Sequence, residues 1–270
     1  MAQPIVVGLD GTAGSLAALD FAAGEAHRRR LPLRLLAVTP DSNPQPVLGE
    51  TLRRICAEWP GLAVTARTVA GDPAELLLAA ARTAALLVIG RRAVPTPPGP
   101  RSVSAQVAAH AHCPTIVVPK DAPDLTDAPV LLGLGMTPED DAATGFAFEE
   151  AALRRVPLLA VHVWAGIPAA AVGAVSPFAY DVHRAQSAAD RMVADKLTGW
   201  VEKYPEVTVD RMPLYDANPG RTLLDASTLA GLVVIGAHQH PRLSSQLLGP
   251  IARTLIQHAT RPVAIVRPTQ

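Results

Sequence analysis
The chain is written twice. Ile5-Val6-Val7-Gly8-Leu9 returns as Val130-Leu131-Leu132-Gly133-Leu134, a shift of 125 residues. At that same shift Ala17-Ala18 meets Ala142-Ala143, Phe21-Ala22 meets Phe146-Ala147, Glu25-Ala26 meets Glu150-Ala151, Arg29-Arg30 meets Arg154-Arg155 and Pro32-Leu33 meets Pro157-Leu158. A register held this long marks a duplicated unit, so one fold must satisfy both copies. Further on the shift becomes 146, pairing Asp72-Pro73 with Asn218-Pro219 and Val88-Ile89-Gly90 with Val234-Ile235-Gly236. The second copy therefore carries 21 extra residues between its second and third strands, which a longer helix over about 177–204 would absorb. Near the end the shift is 148, setting Pro114-Thr115-Ile116-Val117-Val118 against Pro262-Val263-Ala264-Ile265-Val266, so the loop after the fourth strand is two residues shorter in copy one.

Within each copy, short continuous runs of Val, Ile and Leu alternate with helical stretches, the pattern of parallel strands buried on both faces. Five strands per copy are expected, at about 4–9, 33–38, 62–69, 86–89 and 115–118, then 129–134, 158–163, 207–214, 232–235 and 263–266. Helix starts are marked chemically: Thr137-Pro138-Glu139-Asp140, Asp72-Pro73 and Asn218-Pro219 each place a capping side chain before a proline at the first helical position. Right-handed crossovers then give a doubly wound α/β sheet per copy, with a ligand crevice at the carboxyl ends of the strands where the winding reverses. The expected division is a first domain over 1–120, a polar linker over 121–128 carrying Asp121, Asp124 and Asp127, and a second domain over 129–270.

Composition narrows the class. The 270 residues are 49% hydrophobic with formal net charge zero, so there is no basic excess to neutralise a nucleic-acid backbone. No apolar run approaches the ~20 residues of a membrane-spanning helix. The chain passes from Met1-Ala2-Gln3 straight into an apolar strand, without a leader pattern, and a cytoplasmic location is the expectation. Two cysteines only, Cys56 and Cys113, read as buried free thiols in a reducing compartment.

The crevice should be walled by the turn after strand one and the loop after strand four. There the first copy reads Gly8-Leu9-Asp10-Gly11-Thr12 and Gly90, with Gly71-Asp72-Pro73 and the closing Ala109-His110-Ala111-His112-Cys113-Pro114 elsewhere. In these motifs, and over nearly the whole chain in two rounds, the sequence resembles the universal stress protein family. The resemblance implies two tandem flavodoxin-like or Rossmann-like five-stranded sheets of order 3-2-1-4-5, paired with each other through their fifth strands, and a further homodimer. It also implies a stress-response role and an adenine nucleotide, ATP, as ligand. The implied contact set is Asp10, Gly11, Thr12, Val38, Gly90, Arg91, Arg101, Ser102 and Val103 in copy one, with Val163, Gly236, Gln239 and Gly249 in copy two.

Both phosphate loops depart from the family pattern, which is Gly-x-x-Gly, nine residues, then Gly-Ser/Thr. Such a loop works because glycines let successive backbone N–H groups converge on an anion at a helix N-terminus. In copy one Ala93 replaces the second glycine, Arg101 stands where the third belongs, and Pro95, Pro97, Pro98 and Pro100 donate nothing. Arg91, Arg92 and Arg101 are candidates to replace those donors with guanidinium contacts. Copy two keeps the spacing from Gly236 through Gln239 to Gly249, but Gln239 replaces a glycine, Pro250 the hydroxyl residue and Gly135 the Asp10 carboxylate. Glu139, Asp140 and Asp141 make its helix start unfavourable to a triphosphate.

Other chemistries find little support. Gly133-x-Gly135 is a fragment of a dinucleotide fingerprint interrupted by Pro138. His110, His112 and Cys113 are metal-ligand types placed where packing and capping explain them, and His238 and His240 read as loop residues. No Gly-x-Ser-x-Gly or His-Glu-x-x-His string supplies a nucleophile or base, so no catalytic residue or metal ligand is assigned. The resulting expectation is a non-enzymatic nucleotide-binding or sensing protein, in which nucleotide orders the loop after strand four and shifts a population read by an unknown regulatory protein partner. The alternatives are a protein-interaction module that has lost nucleotide binding, and a slow ATP hydrolase.

Overall fold
In the computed structural model, residues 2–39, 46–91, 102–123, 125, 127–137, 140–164, 178–237 and 248–268 are described, with the side chains of 46–47 and 178–185 left aside. The first copy runs β1 (Ile5–Leu9), α1 (Ala13–Arg29), β2 (Leu33–Thr39), α2 (Pro46–Glu58), β3 (Val64–Ala70), α3 (Pro73–Ala81), β4 (Leu86–Gly90), α4 (Val103–His110) and β5 (Thr115–Val118). The second repeats it as β6 (Val130–Gly133), α5 (Asp141–Arg154), β7 (Leu158–Trp164), α6 (Phe178–Lys203), β8 (Val209–Tyr215), α7 (Pro219–Ala226), β9 (Leu232–Gly236), α8 (Pro250–His258) and β10 (Val263–Val266). Helix α6 has 26 residues against 13 in α2, which accounts for 13 of the 21 residues added to the second copy.

The strand order is β3-β2-β1-β4-β5-β10-β9-β6-β7-β8. Each half thus has the order 3-2-1-4-5 with all its pairs parallel, and the halves join where β5 and β10 pair antiparallel, Val117 opposite Val263 and Thr115 opposite Ile265. The two five-stranded sheets therefore form one ten-stranded sheet. Side-chain alternation sends Ile5, Val7 and Leu9 into one core and Val6 into the other. The first core collects residues from α1, α2, α5 and α6, and the second from α3, α4, α7 and α8, so each face of the sheet carries one apolar layer running through both copies. Full burial of each large aliphatic side chain contributes about 1.5–3 kcal/mol.

Capping follows the sequence at two of three marked sites. The Asp72 carboxylate accepts from the Glu75 N–H at 2.9 Å, and the Asn218 side chain accepts from the Arg221 N–H at 3.2 Å. At the third site, α5 begins at Asp141 rather than after Thr137: the Thr137 hydroxyl donates to the Asp140 carboxylate at 3.0 Å instead of capping the helix. The cysteines also divide. Cys113 is buried and its thiol is pushed up to about 11 by burial, whereas Cys56 is exposed, because it lies on α2 away from the face that Ile55 buries in the core.

Where α1 meets α5, repeat-related residues bury charge. Glu25 and Glu150 are both 0% exposed. Arg29 reaches Glu150 at 2.5 Å and Glu149 at 2.8 Å, while Arg154 pairs with Glu150 at 2.8 Å and also with Glu25 across the join. Arg28 adds a bond to Glu25 at 2.9 Å. Three carboxylates and three guanidinium groups balance. The aromatic contacts obey the same symmetry, Arg29 lying 5.3 Å from the Phe146 ring centre and Arg154 5.3 Å from that of Phe21. Burial and the nearby Glu150 push the Glu25 carboxyl up against the pull of Arg154 and Arg28. Burial acts on Glu150 too, but Arg154 and Arg29 overcome it and hold that carboxyl below its ordinary value. Their protons come off in two steps that belong to the coupled pair.

Removing one buried partner strands the charge of the others. Glu150→Gln should lower the free energy of unfolding at pH 7 by about 3–5 kcal/mol in a urea titration. Because the folded Glu150 carboxyl lies below the ordinary value of 4.5, its ionisation favours the folded state above that pH and the contribution fades as pH falls through the depressed value. The gap between wild type and variant should accordingly be full at pH 7 and close on acidification below about 4.5.

Candidate functional site
The winding reverses between β1 and β4 in copy one and between β6 and β9 in copy two, since each central strand pairs with both its second and its fourth neighbour. In copy one β1 ends at Leu9, and Asp10, Gly11 and Thr12 make the turn into α1. Gly11 has φ 76°, a left-handed conformation that a side chain would strain. The Asp10 carboxylate accepts from the Thr12 N–H at 3.0 Å and from the Thr12 hydroxyl at 2.6 Å. Thr12 in turn caps α1, accepting from the Ser15 N–H at 3.3 Å. Asp10 is exposed, so the turn fixes a carboxylate at the carboxyl edge of the sheet with a face toward solvent.

This turn abuts the end of β4. A Cβ on Gly90 would lie 2.4 Å from the carbonyl of Gly14, and one on Gly14 would lie 2.7 Å from the carbonyl oxygen of Arg91. Only glycine permits that approach, and through it the Asp10 turn and the Gly90 loop start stand side by side. Ser102 caps α4, accepting from the Ala105 N–H at 3.1 Å, and Val103 opens that helix, whose N-terminus faces the carboxyl edge because its C-terminus feeds β5. Val38 is buried near the end of β2.

Arg91 is turned elsewhere. Its guanidinium donates to the carbonyl oxygens of Ala259 at 2.7 Å and Ile256 at 3.2 Å, at the C-terminus of α8 in the other copy. Burial lowers the Arg91 pKa from its ordinary value against the attraction of Asp121. Its charge thus meets the negative end of a helix, a favourable pairing, and links the first copy's loop start to the second copy. Arg92 and Arg101 lie outside the described residues.

In copy two, Gly236 ends β9 and Gly249 precedes α8, which opens on Pro250 without a side-chain cap. Val163 is half-buried on β7 beside His162, whose Nδ1 is 2.9 Å from the Leu134 carbonyl oxygen. Gln239, His238 and His240 lie outside the described residues. His110 has its Nδ1 2.8 Å from the Gln106 carbonyl oxygen, within its own helix end. Two features escaped the sequence reading. The buried Glu25, Arg29, Glu150 and Arg154 set was visible as matched repeat positions, but sequence gives no sign that α1 and α5 touch. The position of Asp140 against Gly135 was obscured because that residue reads as one of three acidic residues at a helix start.

Arg91→Ala should cost about 1.5–3 kcal/mol, the range for hydrogen bonds to a charged group, and should speed amide hydrogen exchange at the C-terminal turn of α8. Gly90→Ala should cost at least about 1–3 kcal/mol through overpacking, read as a lowered urea midpoint.

Comparison with known proteins places this geometry. The model of the Universal stress protein family matches residues 1–55, 44–119 and 128–267. A universal stress protein of Mycobacterium tuberculosis is 31% identical over 290 aligned positions, spanning 97% of this chain and 96% of that protein. One from Mycolicibacterium smegmatis is 30% identical, with 98% and 97% covered. Among solved structures, a universal stress protein from Archaeoglobus fulgidus superposes with TM-score 0.67 at 14% identity, covering 99% of each chain. A Pseudomonas aeruginosa protein of unknown function does so at 0.67 and 15%, covering 99% of this chain and 93% of its own.

Proposed function
The chain belongs to the universal stress protein family, and from that premise we propose that its first copy binds an adenine nucleotide, weakly and mainly through the nucleoside. The observation that carries this reading is the exposed Asp10 carboxylate, held by two bonds from Thr12 beside Gly90 at the point where the sheet reverses. Ligands of open α/β sheets sit at that crevice. A carboxylate already oriented accepts hydrogen bonds from a ribose hydroxyl without a further ordering cost. On the phosphate side support is thinner. Arg91, one of three arginines suited to a phosphate, spends its guanidinium on Ala259 and Ile256, so the triphosphate adds less affinity than an intact glycine loop would. No catalytic step is assigned to the site.

A second reading is favoured by that same Arg91 contact: the loop start serves the joint between the copies, and the protein acts as a nucleotide-independent interaction module. Titration calorimetry separates the two. Under the first reading adenosine and ATP bind with affinities within about tenfold of each other, and Asp10→Ala weakens both by about tenfold or more, the equivalent of one charge-assisted hydrogen bond. Arg91→Ala leaves both affinities within about twofold. Equal binding by wild type and Asp10→Ala, or no heat with either ligand, rejects the nucleotide reading.

A further inference from the structure
Superposing the two copies by their repeat equates Asp10 with Gly135, Thr12 with Thr137 and Ser15 with Asp140, each 125 residues apart. In copy one the strand end supplies the carboxylate: Asp10 accepts from the N–H and hydroxyl of Thr12 at 3.0 and 2.6 Å. The hydroxyl comes from the helix start, where Ser15 donates to the Thr12 carbonyl oxygen at 2.9 Å. In copy two Thr137 makes the same pair of bonds, its N–H donating at 2.9 Å and its hydroxyl at 3.0 Å, but the acceptor is Asp140. A Cβ on Gly135 would fall 2.2 Å from Asp140 Oδ2 and 2.6 Å from its Cγ. The helix-borne carboxylate therefore occupies the space that an aspartate at 135 would fill. A side chain at 135 can be accommodated only if the Asp140 carboxylate turns aside and gives up its bonds to Thr137.

The exchange changes what the turn shows to solvent. Asp10 is exposed, whereas Asp140 is 1% exposed. The same internal bonds are made in both copies, yet the residue that carries the carboxylate is exposed in the first and buried in the second.

We propose that Gly135 and Asp140 are an exchanged pair, in which Asp140 does the structural work of the missing turn carboxylate from the helix side, and that its inward placement limits the chain to one adenosine-type site, in copy one. The limit on stoichiometry rests on the nucleotide reading above; the exchange itself does not. The second copy is then specialised as a closed, self-bonded turn. It has not merely lost a residue.

The test is a mutant cycle on the full chain with two independent readouts. Thermal unfolding comes first. Gly135→Asp adds a second carboxylate within contact of Asp140, and Asp140→Ser removes the acceptor of both Thr137 bonds, so each alone should lower the melting temperature by about 4 °C or more. The double variant Gly135→Asp, Asp140→Ser rebuilds the copy-one arrangement and should recover most of the loss. A double variant no more stable than the sum of the singles predicts overturns the exchange. Titration with adenosine is the second readout: wild type binds one equivalent per chain, and the double variant gains a second that Asp10→Ala does not remove. Two equivalents in wild type, or no gain in a stably folded double variant when wild type binds one, overturns the stoichiometry. If wild type binds no adenosine at all, the nucleotide reading fails, while the exchange stands or falls by the unfolding cycle.

Discussion
A short strand at the rim of a sheet carries a row of backbone N–H and C=O groups that must find partners, and an apolar surface that must be covered. In this chain β5 and β10 solve that problem for each other. Both are buried along their whole length, and their antiparallel pairing turns the rim of each half into the centre of a ten-stranded sheet. Two parallel units related by a twofold meet rim to rim in this way without a crossover between them. The continuous apolar layers on both faces, the contact of α1 with α5 and the reach of Arg91 into the second copy all follow from that join.

The join also explains why charged residues lie in its core. Helices related by the twofold present the same side chains to each other, so a single glutamate would face a glutamate and a single arginine an arginine. Alternating Glu25 with Arg29, and Glu150 with Arg154, lets each guanidinium meet a carboxylate of the opposite helix as well as one of its own. Buried ion pairs of this kind are often no better than apolar packing for stability as such, but losing one partner strands the charge of the others. Arg91 repeats the principle at the other face by ending α8 with a positive charge.

Duplication with a rigid frame leaves the loops free to diverge. The copies keep strand order, capping at Asp72 and Asn218 and the Thr12 and Thr137 bonds, while the exposed carboxylate survives in one alone. A turn needs its internal acceptor to hold shape, whereas a ligand needs an acceptor directed outward. Those demands coincide in Asp10 and part in Asp140, so a copy can keep its fold while changing what it shows to a ligand.

The duplication, the ten strands and the doubly wound class were legible in the sequence, because buried parallel strands leave continuous apolar runs and a shared register repeats them. Asp10 and Gly90 were legible as neighbours for the same reason: a reversal of winding brings the ends of the first and fourth strands together whatever the loops contain. Other features were not legible. Cys56 and Cys113 look alike in one dimension, and only packing exposes the first and buries the second. Asp140 reads as surface charge at a helix start until the fold shows it standing where the side chain of residue 135 would be. The segments that become strands, and their repetition in two rounds, are written in local periodicity, whereas their lateral order came from the resemblance to the family. The resemblance already implied that the fifth strands pair, which β5 and β10 do; the folded chain was needed to show that Glu25, Arg29, Glu150 and Arg154 neutralise each other, that Arg91 serves the joint and that Asp140 took over a bond from another position, because each of these depends on side-chain distances that no sequence pattern records.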